Sequence, residues 1–150
     1  MDAVTYPSRE VAAFIRDRVV SLRLSHDHKP LSDELGITRT PCLVLLDNRG
    51  AEHHRITGFQ TPEDLLAAMQ LGLAKIEYDR GVFGKAAELL DRLLAVYPGN
   101  AASPEAIYVR GLSRYKERNE PIHLKRAYEQ LKSDFPRSEW TRRTFPYRLL

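Results

Sequence analysis

Cysteine, histidine and paired carboxylates are the usual raw material of enzymatic sites, and in this chain they are few and poorly spaced. Cys42 is the only thiol among 150 residues. The chain as it stands can therefore form neither an intramolecular disulfide nor a two-thiol exchange cycle. His26-Asp27-His28 and His53-His54 offer imidazoles, which ligate metals when neutral. In a regular strand His53 and His54 would point to opposite faces, so they are not expected to share an ion. No Cys/His spacing completes a zinc site. Asp33-Glu34 and Glu63-Asp64 fall in first or early helical turns, where the helix dipole already accounts for them. A glycine-rich phosphate loop, a Gly-x-Ser-x-Gly elbow and a His-Glu-x-x-His helix are all missing. These residues predict no catalytic residue, no metal and no cofactor.

The elements that would carry these residues divide near position 60, giving expected domains at 1–60 and 61–150. In the first, Val11, Phe14, Ile15 and Val19 recur at helical spacing after Pro7-Ser8. Val19 to Leu24 reads as a strand with Val20, Leu22 and Leu24 on one face. Pro30 to Leu35 reads as a short helix stopped by Gly36. Cys42 to Leu46 is an apolar run too short for a helix, as in a strand buried on both faces, with Cys42 read as an inert core residue and, as the alternative, a reactive thiol. Asp47-Asn48-Arg49-Gly50 is turn chemistry, and Glu52 to Gly58 returns as a second strand. The expected order is helix–strand–helix–strand–strand.

From Thr61 onward the pattern is helical. Thr61-Pro62-Glu63-Asp64 combines an N-cap, a proline at the first helical position and early acids, and Ser103-Pro104-Glu105 repeats the signal. An internal repeat runs through this half. Leu71-Gly72-Leu73-Ala74-Lys75-Ile76 matches Arg110-Gly111-Leu112-Ser113-Arg114-Tyr115, and Leu90, Leu93, Tyr97 and Pro98 match Tyr128, Leu131, Phe135 and Pro136. Each unit is a helix pair whose second helix ends in aromatic-Pro. Gly72, Ala74 and Gly111 would let neighbouring helices approach, and the tyrosines would fill the space between them.

Composition fits a folded, water-exposed chain: 43% hydrophobic, 29% charged, and no apolar run of the roughly 20 residues a membrane span needs. The N-terminus lacks a basic and then apolar leader, so a cytoplasmic location is expected. Residues 1–100 hold 12 basic and 14 acidic groups, and residues 101–150 hold 11 and 6. The basic surplus gathers at Arg137, Arg142, Arg143 and Arg148. No basic run is interleaved with aromatics, so the surplus reads as a solvated face and no nucleic-acid partner is expected.

Two resemblances follow from these residues. Ala74, Gly81, Phe83, Ala86, Leu90 and Pro98 fall at the small, glycine, aromatic, alanine, large and proline positions of tetratricopeptide repeats, which are usually binding scaffolds. The second unit, residues 104 to 136, matches less well. Gly36-Ile37-Thr38-Arg39-Thr40-Pro41, the run Cys42 to Leu46, the turn at 47–50 and Ile56-Thr57-Gly58-Phe59 resemble the C-terminal two-thirds of a thioredoxin fold. That resemblance implies a cis Thr40–Pro41 bond and a binding surface at Arg39, Thr40 and Pro41, where a substrate's extended segment would pair. It also implies a strand missing between residues 19–24 and 42–46, together with the Cys-x-x-Cys that would follow it. The two flanking strands are expected either to close up against each other or to recruit a second copy.

The fold expected is thus α/β (α+β), thioredoxin-like, followed by an all-α tetratricopeptide-like array. The function expected is a redox-inactive, non-catalytic protein-interaction module taking a protein or peptide partner through exposed edge strands, the Thr40-Pro41 surface or the helical groove, with homodimerisation through exposed strand edges as one outcome. The alternative is a fragment of a thiol–disulfide oxidoreductase whose Cys-x-x-Cys lies upstream of Met1.

Overall fold

A computed structural model describes residues 1–25 and 27–150. The first half holds α1 (Arg9–Arg18), α2 (Leu31–Glu34), β1 (Cys42–Leu46) and β2 (Glu52–Thr57). The second holds α3 (Pro62–Asp79), α4 (Phe83–Val96), α5 (Ser103–Arg118), α6 (Ile122–Asp134) and α7 (Glu139–Arg143), closed by a 3₁₀ turn, Phe145–Leu149. A mixed α+β start and a helical remainder are therefore present.

The hairpin forms where its turn chemistry lies. Asp47 Oδ1 accepts the backbone N–H of Arg49 at 2.8 Å and of Ala51 at 3.0 Å, and Gly50 takes the positive φ the turn requires. β1 and β2 pair antiparallel, Cys42 opposite Thr57 and Leu45 opposite His54, with the register shifting between Leu45 and Leu46. That shift is a β-bulge carrying one extra residue on β2. One face of the hairpin, with Leu45 and Ile56, buries against α3 and α1 through Leu65, Met69 and Val11.

The strand expected at residues 19–24 does not form. The described sheet has two strands only. Val20 to Leu24 make no backbone hydrogen bond with any described residue, and Val20 and Leu22 are 102% and 76% exposed. An extended segment becomes a strand only when a neighbour takes its N–H and C=O groups, and β1 does not reach it. Arg23 instead pairs with Asp2 at 2.9 Å. For the same reason β1 is not buried on both faces: only Leu45 is buried and Leu46 is exposed.

The helical half follows its local signals closely. Thr61 Oγ1 accepts the N–H of Asp64 at 3.1 Å, Pro62 occupies the first turn, and α3 begins there. Ser103 departs from the expected capping role. It lies inside α5 and its hydroxyl donates to the Tyr97 carbonyl, tying α5 to the end of α4.

The internal repeat is visible in the backbone. α4 ends at Tyr97 with φ −126° and ψ 58°, and α6 ends at Phe135 with φ −136° and ψ 57°. Each cap N–H returns to the leucine carbonyl four residues earlier, Leu93 and Leu131. The small residues act as spacers, but not alike. A Cβ on Gly111 would meet the Ala127 Cβ of α6 at 2.6 Å, a helix–helix approach as expected. A Cβ on Gly72 would instead meet Leu45 Cδ2 at 2.6 Å and His54 Cβ at 3.0 Å, so this glycine admits the hairpin. α3 thereby belongs to both cores: Leu65 and Met69 face the hairpin, while Leu71 and Ala74 pack with Leu90, Leu93, Ala106 and Val109.

Candidate protein-binding surface

The loop between α2 and β1 is turned by Gly36, whose φ of +59° ends α2 as expected, and leads through Arg39, Thr40 and Pro41, all exposed. The Thr40–Pro41 bond is cis, and so is Lys29–Pro30, which the sequence did not mark. The Pro41 carbonyl accepts the N–H of Gly58 at 2.8 Å, extending the ladder one step beyond Cys42. Hydrogen-bonded pairs alternate along an antiparallel ladder, so Leu43 and Leu45 exchange bonds with Ile56 and His54. Cys42 and Val44 then turn their N–H and C=O groups to the outer edge, which no described strand covers.

Cys42 sits at the start of that edge. It is half-buried rather than a core residue, with its Sγ 3.9 Å from Thr57 Oγ1. Arg55, opposite Val44, bonds the Leu35 carbonyl and Glu52, each at 2.6 Å. Arg39, Thr40 and Pro41 lead directly into this open edge at Cys42 and Val44.

The two histidines do not point apart as a regular strand would require. The bulge falls at this point of β2 and breaks the two-residue alternation. His54 meets Lys75 on α3, Nδ1 to Nζ 3.4 Å, and His53 Nδ1 meets Asp79 Oδ2 at the end of α3 at 2.6 Å. Burial, and then the Lys75 ammonium, hold the His54 imidazole below its ordinary range. His53 Nε2 is buried without a hydrogen bond, 3.4 Å from Asp47 Oδ2. Backbone N–H groups of Ala51 and Arg49 keep the Asp47 carboxyl far below its usual value. No group of three Cys, His, Asp or Glu able to hold a metal occurs among the described residues. His26, the first residue of the His26-Asp27-His28 cluster, lies outside them.

Polar contacts that the sequence reading missed stitch the helices together. Lys75 Nζ pairs with Glu105 at 2.8 Å between α3 and α5. Arg110 bonds Asp91 at 3.1 Å on α4 and Gln130 at 2.6 Å on α6, and Arg114 joins Asp91 at 2.7 Å. The spacing of Arg110 and Arg114 puts both on one helical face, which was the available signal. Tyr108 stacks on Trp140 at 5.0 Å and Tyr78 meets Phe83 edge-on at 5.3 Å. Burial raises the hydroxyl pKa of Tyr78 and Tyr147. No described helix is long and apolar enough to cross a membrane. Comparison with protein-family models, curated proteins and solved structures finds no match to this chain.

Proposed function

We propose that this chain is a non-catalytic protein-interaction module, a thioredoxin-like hairpin half joined to tetratricopeptide-like helix pairs. The observation that carries the reading is the open edge of β1, where Cys42 and Val44 present unpaired backbone groups beside the exposed Arg39, Thr40 and Pro41. Unpaired strand edges are templates for extended segments of another chain. The chain itself offers such a segment: Val20, Leu22 and Leu24 alternate with polar residues and are exposed. A second copy could supply it.

Light scattering across a concentration series tests the self-pairing form. The expected mass rises from 17.2 kDa toward twice that value. Val44→Pro should hold it at one subunit, because the lost N–H faces outward and takes no part in the hairpin ladder. One subunit at every concentration would count against pairing between copies.

A second reading, a piece of a thiol–disulfide oxidoreductase with its Cys-x-x-Cys upstream of Met1, is favoured by where the open edge falls. It borders Cys42 and Pro41, the place such a strand would occupy. Two cysteines in the coding frame immediately upstream would support this reading. The present chain should fail to reduce insulin in either case.

A further inference from the structure

Two cations of the basic last thirty residues, Arg142 and Arg148, sit at one site. Residues 121–150 carry seven Lys/Arg against three Asp/Glu. Arg143 pairs with Glu139 at 3.3 Å, but Arg137, Arg142 and Arg148 have no carboxylate partner among the described residues. α7 and the 3₁₀ turn fold back on α6 and leave a shallow cleft of about 400 Å³, lined by Tyr128, Pro136, Thr141, Arg142 and Phe145. Its floor is aromatic: Phe145, 51% exposed, meets Tyr128 edge-on with centroids 6.3 Å apart. The Arg148 guanidinium lies 3.7 Å from the centre of the Phe145 ring, which holds one charge at the rim. The Thr141 hydroxyl is already committed to the Leu131 and Phe135 carbonyls. Arg148 Nη1 also donates to the Phe145 carbonyl at 3.1 Å, and Arg142 is left as the cation of the cleft whose guanidinium has no hydrogen-bond or ion-pair partner among the described residues.

We propose that this cleft docks an acidic linear segment of a partner protein. One apolar side chain of that segment would lie against Phe145 and Tyr128, and flanking carboxylates would pair with Arg142 and Arg148. Guanidinium groups bind carboxylates through two parallel hydrogen bonds, and a half-exposed aromatic floor supplies the contact area. Charge complementarity selects an acidic occupant. The arrangement fits a peptide better than a nucleic acid, because two guanidinium groups beside one aromatic cleft do not make a row that tracks successive phosphates. The inference rests on reading the chain as an interaction module, and it places the partner's chemistry on a surface separate from the hairpin edge.

Fluorescence anisotropy of the full chain with a short labelled peptide of Glu and Phe tests it, with a Gln and Phe peptide as the uncharged control. The Glu peptide should bind, and raised salt should weaken it. The R142E/R148E double variant should lose at least about tenfold in affinity, the loss expected when a charge-assisted hydrogen-bonded pair is removed. R142K/R148K should recover part of that loss. Circular dichroism confirms that each variant is folded. No binding of the Glu peptide, equal binding of both peptides, no effect of the double variant, or binding of a single-stranded oligonucleotide in place of the peptide would overturn the proposal. Val44→Pro should leave peptide affinity unchanged, and R142E/R148E should leave self-association unchanged, so each reading can fail alone.

Discussion

Residues 61–150 supply most of the buried core, whereas residues 1–60 add only Val11, Leu45 and Ile56 to its apolar part and leave a strand edge unpaired; large apolar side chains face water in both halves. In the helical half Leu65, Leu71, Leu90, Leu93, Ile107 and Leu131 are all at most 1% exposed. In the first half Val20, Leu22, Leu24 and Phe59 stay exposed, and the sheet stops at two strands. The difference follows from where each element satisfies its backbone. A helix closes its hydrogen bonds internally, so each added helix needs only an apolar face to join the stack. A strand depends on a neighbour, and a sheet of two strands leaves both outer edges open. The helical half therefore satisfies its backbone within its own elements, and the hairpin leaves backbone groups open at its edges.

The contrast can be broken at several points. Leu90→Ala, in the centre of the helical core, should cost about 2–5 kcal/mol in urea unfolding, since a buried leucine leaves a cavity behind. Gly111→Val should cost about 1–3 kcal/mol, because its β-carbon would enter the space held by Ala127 and the His123 carbonyl. A stable Gly111→Val chain would show that α5 and α6 are less closely packed than described.

A smaller effect sits where the two halves meet. His54 is half-buried beneath α3, and its folded pKa lies below the ordinary 6.5 because of burial and Lys75, opposed by Glu105 and Glu52. The unfolded chain then binds a proton that the folded chain refuses. Stability should fall as pH drops from 7 through 6.5 toward the folded value, and His54→Gln should flatten that slope in urea titrations. The smallest change should come from Leu22→Ser, which should stay within about 0.5 kcal/mol of the parent in a dilute solution of single subunits. A larger loss would place Leu22 in a core and erase the contrast between the halves.

The same division governs how much was legible beforehand. The start of α3 at Thr61-Pro62 is written locally, and so is the matched ending of α4 and α6 at Tyr97-Pro98 and Phe135-Pro136, because caps act within a few residues. The hairpin was legible from its turn. The segment 19–24 misled because alternation shows that a strand would have an apolar face, not that a neighbour exists to pair with it. His53 and His54 were misplaced because a single inserted residue shifts the alternation, and nothing in Glu52-His53-His54-Arg55 marks the bulge. Arg39, Thr40, Pro41 and Cys42, which border the open edge of the hairpin, are marked by the Thr40-Pro41 pair before the apolar run. The cleft at Arg142 and Arg148 has no such mark, since it exists only once α7 and the 3₁₀ turn fold back on α6.

Residue-level amide hydrogen exchange on dilute single subunits addresses the open edge most directly. The amides of Cys42 and Val44 should exchange quickly while those of Leu43 and Leu45 are protected, and residues 20–24 should exchange as fast as any loop. Slow exchange at all four β1 positions, together with protection across 20–24, would mean that a third strand is already in place and that the first half is closed.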